Sequence, residues 1–291
     1  MTQVIINGLC AGSVWAVAAL GIGLVLAVCR FFHFAHGAML TLGAYIALTL
    51  ASRVGIPLPL ACVMAVGLAG AFGMVIELVA YGPVRVRSGQ PLALLLVSLG
   101  VYVVLENGMS LVFGNEMRVL HAAPVREGIL IAGGRISPAQ MVNVCTSAVT
   151  IALVSLLITK TSVGVAIRAA GSDPLVASVV GISYDRVAVW TLGMASALAA
   201  VAGIMLALDV GMTPTMGMNA LLMGMVATVI GGVGSVPGAA LGGLLLGLAQ
   251  HLGVWKIGAQ WQDAIAFAVL LVFLLFRPYG IFGRKLRKAE I

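Results

Sequence analysis

Residues 164 to 185 read Gly164-Val-Ala-Ile-Arg168-Ala-Ala-Gly-Ser-Asp173-Pro-Leu-Val-Ala-Ser-Val-Val-Gly181-Ile-Ser-Tyr-Asp185, a polar stretch with helical character between long hydrophobic runs. Asp173 followed by Pro174 is typical of a helix N-cap and the first helical residue. Apolar residues then recur at i, i+4 and i+7, on one helix face: Leu175, Val179 and Ile182. Gly181 is suited to ending the helix. Because so short a helix is marginal alone, we expect neighbours or a soluble partner to hold it.

The hydrophobic runs on either side of this stretch set the class of protein. Hydrophobic residues make up 62% of the chain and charged residues only 9%, whereas a soluble domain carries about 25% charged residues. Apolar runs of ~20 residues, the length that crosses ~30 Å of hydrocarbon, recur from end to end. We therefore predict that residues 1–291 form one all-α integral membrane domain, a polytopic helical bundle.

Polar breaks between the runs predict about nine crossings, within a range of eight to ten. The predicted crossings lie at 3–28, 35–52, 59–81, 92–113, 139–159, 188–208, 216–231, 236–254 and 262–276. The segment 216–231 is short and rich in glycine. It is predicted either to span the membrane or to re-enter it as a broken helix.

Basic residues predict the orientation, because Lys and Arg are enriched on the cytoplasmic side of membrane proteins. With the N-terminus outside and the C-terminus in the cytoplasm, 11 of the 16 basic residues fall on inner loops: Arg30, Arg85, Arg87, Lys160, Arg168, Arg186, Arg277, Arg284, Lys285, Arg287 and Lys288. The outer loops hold Arg53, Arg118, Arg126, Arg135 and Lys256. This placement explains the net charge of +7 without nucleic-acid binding, and the basic tail is available to anionic lipid.

Two further segments carry a resemblance to a known family. The first joins the first two runs and contains Phe34-Ala-His36-Gly37, and the second reads Gly231-Gly-Val-Gly-Ser-Val-Pro-Gly238. Together with Asp173…Gly181 they resemble the permease subunits of branched-chain amino acid ABC importers, whose relatives serve urea, short amides and other small solutes. The resemblance implies two cytoplasmic ATPases, an external solute-binding protein, a heterodimer with a paralogous permease, and a bacterial plasma (inner) membrane location.

The resemblance also implies a role for the loop 160–188. ABC permeases carry a cytoplasmic helix with a Glu-Ala-Ala-x-x-x-Gly pattern that docks into the ATPase. Aligned on Gly181, this chain matches that pattern at Ala177 and lacks the acidic first position. The predicted ATPase-coupling residues are Arg168, Asp173, Pro174, Leu175, Ala177, Val179, Gly181 and Ile182. An ordinary interfacial helix lying on lipid is the alternative.

Three polar residues are candidates for the translocation path: His36, Glu106 and Asn107. A carboxylate as deep as Glu106 is costly unless it is paired, protonated or facing water. Glu106 and Asn107 therefore either line the path or form an interhelical hydrogen-bond pair. His33 and His36 are spaced i, i+3, but no carboxylate or Cys nearby in sequence completes a metal site. We expect them to hydrogen-bond across helices.

Other chemistries lack their motifs. No Gly-x-x-x-x-Gly-Lys-Ser/Thr phosphate loop occurs, and the four cysteines are dispersed without metal spacing. We therefore predict no cofactor in this chain and no enzyme activity, because ATP hydrolysis would occur in partner chains. One rival is an ion-coupled secondary transporter of a small solute, for which Glu106 is the only strong coupling carboxylate. A membrane enzyme would need a cluster of acids or a nucleophile-base pair.

Overall fold

The computed structural model describes residues 1–120, 128–131 and 133–283. The predicted basic tail at 284–288 and the predicted outer-loop Arg126 lie outside these residues. Within them the α-helices are α1 Thr2–Cys29, α2 Ala35–Ser52, α3 Leu58–Ile76, α4 Gly82–Ser88, α5 Pro91–Phe113, α6 Pro138–Lys160, α7 Ser162–Ser172, α8 Pro174–Val179, α9 Tyr184–Val210, α10 Met216–Gly231, α11 Val236–Ile257 and α12 Gln262–Phe276. A π-helical turn, Glu77–Tyr81, joins α3 to α4, and a 3₁₀ turn, Ala259–Trp261, precedes α12.

Long apolar helices dominate the described residues. Eight of them are long and apolar enough to cross a membrane: Thr2–Cys29, Ala35–Ser52, Leu58–Arg87, Pro91–Phe113, Pro138–Lys160, Tyr184–Val210, Val236–Ile257 and Ala259–Phe276. The predicted segment 216–231 is the apolar helix α10, which is shorter, at 16 residues. The prediction of an all-α polytopic membrane protein is thereby confirmed.

One small β element interrupts the helices, in the connection between α5 and α6. Strands β1, Ile129–Ile131, and β2, Gly134–Ile136, pair antiparallel, with Ile129 opposite Ile136. The sequence pattern did not predict this hairpin. It docks on the start of α1, where the Gln3 side chain donates to the Arg135 carbonyl oxygen at 2.9 Å and accepts from the Arg135 amide at 2.7 Å.

The centre of the bundle is α1, which is buried along most of its length. Its closest neighbour is α11, and the two backbones meet along a glycine seam formed by Gly8, Gly12, Gly243 and Gly247. A Cβ at Gly12 would lie only 2.8 Å from the Leu244 Cα. Helices in lipid lack a hydrophobic drive to associate, so close backbone packing of this kind stabilises the pair. These glycines therefore serve packing within the chain.

Buried polar side chains add specific contacts between the central helices. The Trp15 indole N–H donates to the Gln250 side-chain oxygen at 3.0 Å, joining α1 to α11. The Asn143 amide donates to the Met205 carbonyl oxygen at 3.0 Å, joining α6 to α9. Hydrogen bonds of this kind between membrane helices contribute about 0.6–2 kcal/mol each. They fix the register of helices that packing alone would leave free to slide.

The helix connections gather at two opposite ends of the bundle. At the end that holds Gln3, the backbone of Arg118, after α5, pairs with that of Met212, after α9, with N···O distances of 2.9 and 2.8 Å. We call this the N-terminal end. At the other end, which we call the α8 end, Ser98 at the start of α5 donates to the Phe32 carbonyl oxygen before α2. This end carries α7 and α8.

Candidate functional site

The segment between α6 and α9 forms two short helices, α7 and α8. Thr161 caps α7 by accepting the Gly164 amide at 3.1 Å. Asp173 caps α8 by accepting the amides of Leu175 and Val176 at 3.0 and 3.1 Å. Pro174 occupies the first turn, where its missing N–H costs nothing. The prediction that a helix starts at Asp173-Pro174 is thus confirmed. The sequence pattern did not predict α7 as a separate helix.

Gly181 reverses the chain after α8. Its φ of 83° lies in the left-handed region, which suits glycine because it has no Cβ. The Ile182 amide then donates back to the Ala177 carbonyl oxygen at 3.0 Å, and the Gly181 amide donates to that of Ser178. This closing pattern satisfies carbonyls that the end of a helix leaves unpaired.

The outward side of α8 is an apolar patch, which we call the α8 face: Leu175, Val176, Val179 and Val180. Leu175 is 72% exposed and Val179 86% exposed. Ala177 faces inward and is buried. Ile182, predicted to share a face with Leu175 and Val179, is half-buried and packs against the core, because the chain reverses at Gly181. The exposed patch is therefore shifted from the predicted one toward Val176 and Val180.

The residues on either side of α8 contact the end of α1. Arg30, which ends α1, is the only non-glycine among the described residues with a positive φ, at 55°. Its guanidinium reaches the carbonyl oxygens of Gly171 and Ser172, at 3.5 and 3.4 Å. The Tyr184 hydroxyl, at the start of α9, donates to the Val28 carbonyl oxygen at 3.3 Å. The chain on both sides of α8 is therefore connected to the end of α1.

The inward face of α7 packs on the bundle while its other side is open. Gly164, Ile167 and Ala170 are buried, and Arg168 is exposed. A Cβ at Gly164 would overlap the backbone of α6, so the glycine allows α7 to fold back directly after α6. Arg168 therefore lies on the outward side of the same segment as the α8 face.

A buried ion pair lies close to this segment at the α8 end. Glu77 is 1% exposed, and its carboxylate accepts from the Arg85 guanidinium. The same guanidinium donates to the Asp185 carboxylate at 3.4 Å and lies 5.2 Å from the centroid of the Tyr184 ring. Glu77 and Arg85 are eight residues apart on one continuous helical segment, so this pair is local in sequence. The contacts of Arg85 with Asp185 and Tyr184 are not predictable from sequence, because a separation of about 100 residues leaves no local signal.

The π-helical turn that positions Glu77 has a cause in the sequence. Pro83 has no N–H, and its ring would clash with the carbonyl oxygen four residues earlier in a regular α-helix. The helix widens instead, and the Gly82 amide donates to the Glu77 carbonyl oxygen five residues back. Such π turns are frequent at functional sites. Here the turn places Glu77 and Tyr81 against other segments of the α8 end.

The histidines before and within α2 are both buried. The His33 Nδ1 and the Tyr81 hydroxyl are 3.1 Å apart, which confirms the expected hydrogen bond across segments for His33. The His36 ring packs where Gly21 leaves room on α1, since a Cβ at Gly21 would lie 2.5 Å from its Cε1. Among the described residues, no group of three or more His, Cys, Asp or Glu could hold a metal ion.

The two path candidates on α5 lie on a loosely covered helix. Glu106 is half-buried, within hydrogen-bonding reach of the Tyr102 hydroxyl one turn earlier. Asn107 is exposed, and its amide donates to the Val103 carbonyl oxygen at 2.8 Å. These hydrogen bonds stay within α5. The side of α5 that carries Asn107 therefore faces lipid or another chain, and His36 belongs to a different, closed part of the bundle.

Comparison with known proteins places this architecture in a family. The model of the family described as "Branched-chain amino acid transport system / permease component" matches residues 4–274. The high-affinity branched-chain amino acid transport system permease protein BraD of Pseudomonas aeruginosa is 34% identical, over 97% of this chain and 95% of its own length. The corresponding permease protein LivH of Escherichia coli is 32% identical over the same shares.

A solved structure shares the fold. The structure of PsaBC from Streptococcus pneumoniae in complex with Fab aligns with a TM-score of 0.53 over 96% of this chain and 92% of the matched chain. At 11% identity, this likeness concerns the fold alone. The alignments with BraD and LivH cover nearly the full length of this chain and of each relative. The chain therefore belongs to the family of permease components of branched-chain amino acid transport systems.

Proposed function

We propose that this chain is the transmembrane permease subunit of an ABC importer that moves branched-chain amino acids, or a related small polar solute, into the cytoplasm. The observation that carries the proposal is the full-length similarity to permease proteins of high-affinity branched-chain amino acid transport systems. An ion-coupled secondary transporter is less well supported, because the full-length relatives are permease proteins of branched-chain amino acid transport systems.

The proposal assigns the remaining parts of the system to other chains. Two cytoplasmic ATPases hydrolyse ATP, so this chain is not itself an enzyme, and an external binding protein delivers the solute. A paralogous permease completes a heterodimer in the bacterial plasma (inner) membrane. Residues 1–291 act as a single transmembrane permease domain within that assembly.

The proposed topology has nine crossings, with the N-terminus outside and the C-terminus in the cytoplasm. It is supported by the way α10 runs beside α12. Near their starts, Asn219 donates to Asp263 at 3.2 Å. After the end of α12, the Ile281 and Phe282 amides donate to the carbonyl oxygens of Ile230 and Gly231, the last two residues of α10, at 2.9 and 3.0 Å. Because α10 runs beside α12 at both of its ends, we count it as a crossing. The excess of basic residues on the loops at the α8 end favours the cytoplasm for that end.

In this topology the α8 face is the surface that docks into an ATPase. Exposed apolar side chains of this number are costly in water, so they are typical of a partner surface. Asp173, Pro174 and Gly181 shape α8, Ala177 packs it on the bundle, and Arg168 lies beside it as a candidate partner for acidic groups. Ile182 contributes by anchoring the segment to the core.

The docking role is tested by the substitution Val179→Asp. A carboxylate introduced at a contact that excludes water would be buried unpaired, which costs at least several kcal/mol. We expect the variant to insert but no longer to copurify with its ATPases or to stimulate hydrolysis. The matched control is Val86→Asp, since Val86 on α4 is 82% exposed at the same end of the bundle and lies outside the docking segment.

Two outcomes would count against the docking role. Wild-type copurification and uptake with Val179→Asp would show that the face does not dock and would favour a helix lying on lipid. Equal losses in both variants would show that any added charge at this end is harmful. The first outcome would make the assignment of the ATPase contact to α8 wrong, and the second would show that the loss is not specific to α8.

The importer itself is tested by uptake of labelled leucine, isoleucine and valine into vesicles that hold the assembled complex. We expect uptake to require ATP and binding protein, and to continue when an ionophore removes the ion gradients. Uptake that stops with the ionophore would indicate ion-coupled transport instead. Mass spectrometry of solute released from the purified complex would identify what is carried.

A further inference from the structure

We infer that Arg85 is a positioning residue for energy coupling, which passes movement of α8 to the membrane helices through two carboxylates, Glu77 and Asp185. The inference rests on the proposed function, since it needs an ATPase to move α8. Its basis is that one guanidinium connects the start of α9, directly after the docking segment, with the π-helical turn at the end of α3.

Arg85 forms two ion pairs, which we call the Glu77 arm and the Asp185 arm, and the two differ in strength. The Arg85 and Glu77 side chains are 14% and 2% exposed, and separating a buried pair leaves an uncompensated charge, which is strongly unfavourable. The Asp185 side chain is 77% exposed, at 3.4 Å, and exposed ion pairs are weak. The Glu77 arm therefore holds Arg85 on α3, while the Asp185 arm is able to form and break.

The Asp185 arm lies directly after the docking segment, so a displacement of that segment would reach it. Asp185 occupies the first turn of α9, after the reversal at Gly181 that ends α8. The Arg85 guanidinium also covers the Tyr184 ring, a cation–π contact that adds to the ion pair. From there α9 continues through the bundle against α1, α2 and α3. Movement of α8 thus reaches Arg85 before it reaches the membrane-spanning part of α9.

The Glu77 arm connects Arg85 to a second set of helices in the bundle. One π-helical turn carries both Glu77, which holds Arg85, and Tyr81, which hydrogen-bonds to His33 just before α2. The turn therefore connects α9 to α2 as well as to α3. A pair needed only for stability would serve as well if replaced by apolar groups of similar volume, and that difference makes the inference testable.

The decisive variant is the double substitution Glu77→Leu with Arg85→Met. It removes both buried charges together, so neither is left unpaired, and it also removes the arm to Asp185. In the complex assembled with its ATPases and binding protein, we expect normal copurification and ATP hydrolysis. Uptake per ATP hydrolysed should fall about fivefold or more, the lower range of coupling between distant sites. Arg87→Met, an exposed arginine on the same helix, is the control and should keep the wild-type ratio.

A second variant decides the matter if the double variant does not assemble. Asp185→Arg places two positive charges together at an exposed position, where folding is little affected, and breaks the arm by repulsion. Uptake per ATP should again fall while copurification persists. A wild-type ratio in Asp185→Arg, or in an assembled double variant, would overturn the inference. Failure of the wild-type complex itself to show ATP-driven uptake would instead refute the proposed function.

Discussion

Replacing Gly247 by alanine should loosen the contact between α1 and α11. A Cβ at Gly247 would overlap the Gly8 carbonyl oxygen and lie 2.5 Å from the Gly12 Cα. Because non-bonded carbons rest about 3.5–4.0 Å apart, the two helices would have to separate by about 1 Å. The atoms in the way belong to backbone, so no side-chain rotation relieves the overlap.

The expected magnitude follows from two opposing effects. Overpacking a close-packed interior costs about 1–3 kcal/mol, while alanine is a better helix former than glycine by about 1 kcal/mol. Gly100→Ala on α5 is the matched control, since a Cβ there would meet nothing within 4 Å. Helix propensity cancels between the two variants, so they should differ by the overpacking alone, about 1–3 kcal/mol.

The difference is measured by unfolding both purified variants with increasing SDS in detergent micelles, followed by tryptophan fluorescence. Gly247→Ala should unfold at a lower SDS fraction than the wild type, and Gly100→Ala at an equal or higher one. Equal midpoints for the two variants would refute the reasoning, because they would mean that α1 and α11 separate without loss.

Two further predictions concern topology and the path. Glu116 and Ser172 are both exposed, and each can be replaced by cysteine in a cysteine-free background. An impermeant thiol reagent added outside intact cells should label Glu116→Cys and not Ser172→Cys. The reverse pattern would overturn the orientation. If Glu106 lines the path, Glu106→Gln should change uptake while assembly stays normal, and if it is structural, Glu106→Leu should lower the yield of folded complex. Normal uptake and yield for both Glu106→Gln and Glu106→Leu would show that the residue neither lines the path nor supports the fold.

The long helices were predictable because each is specified by its own composition. A run of ~20 apolar residues has one stable arrangement in a bilayer, so helix positions match the predictions within a few residues. The start of α8 was predictable for the same local reason, since Asp173 bonds amides two and three residues ahead. Glu77 and Arg85, eight residues apart, are also close enough in the chain to be expected as partners.

What the sequence could not show depends on contacts between distant segments. Ile182 matches the spacing of Leu175 and Val179, but the chain reverses at Gly181 and turns it toward the core. Asp185 meets Arg85 only because α9 packs on α3. The burial of His36 could not be predicted either, because the residues that enclose it belong to α1 and α9 and not to its own helix.

The seam between the first and the eleventh helix has a consequence for the time course of synthesis. Trp15 and Gln250 are separated by 235 residues, so at ~5–20 residues per second a ribosome needs about 12–50 s to make the second after the first. During that interval α1 lies in the bilayer with its glycines against lipid. Its most apolar 18 residues, with a mean hydropathy of 2.2, are what hold it there until its permanent neighbour emerges.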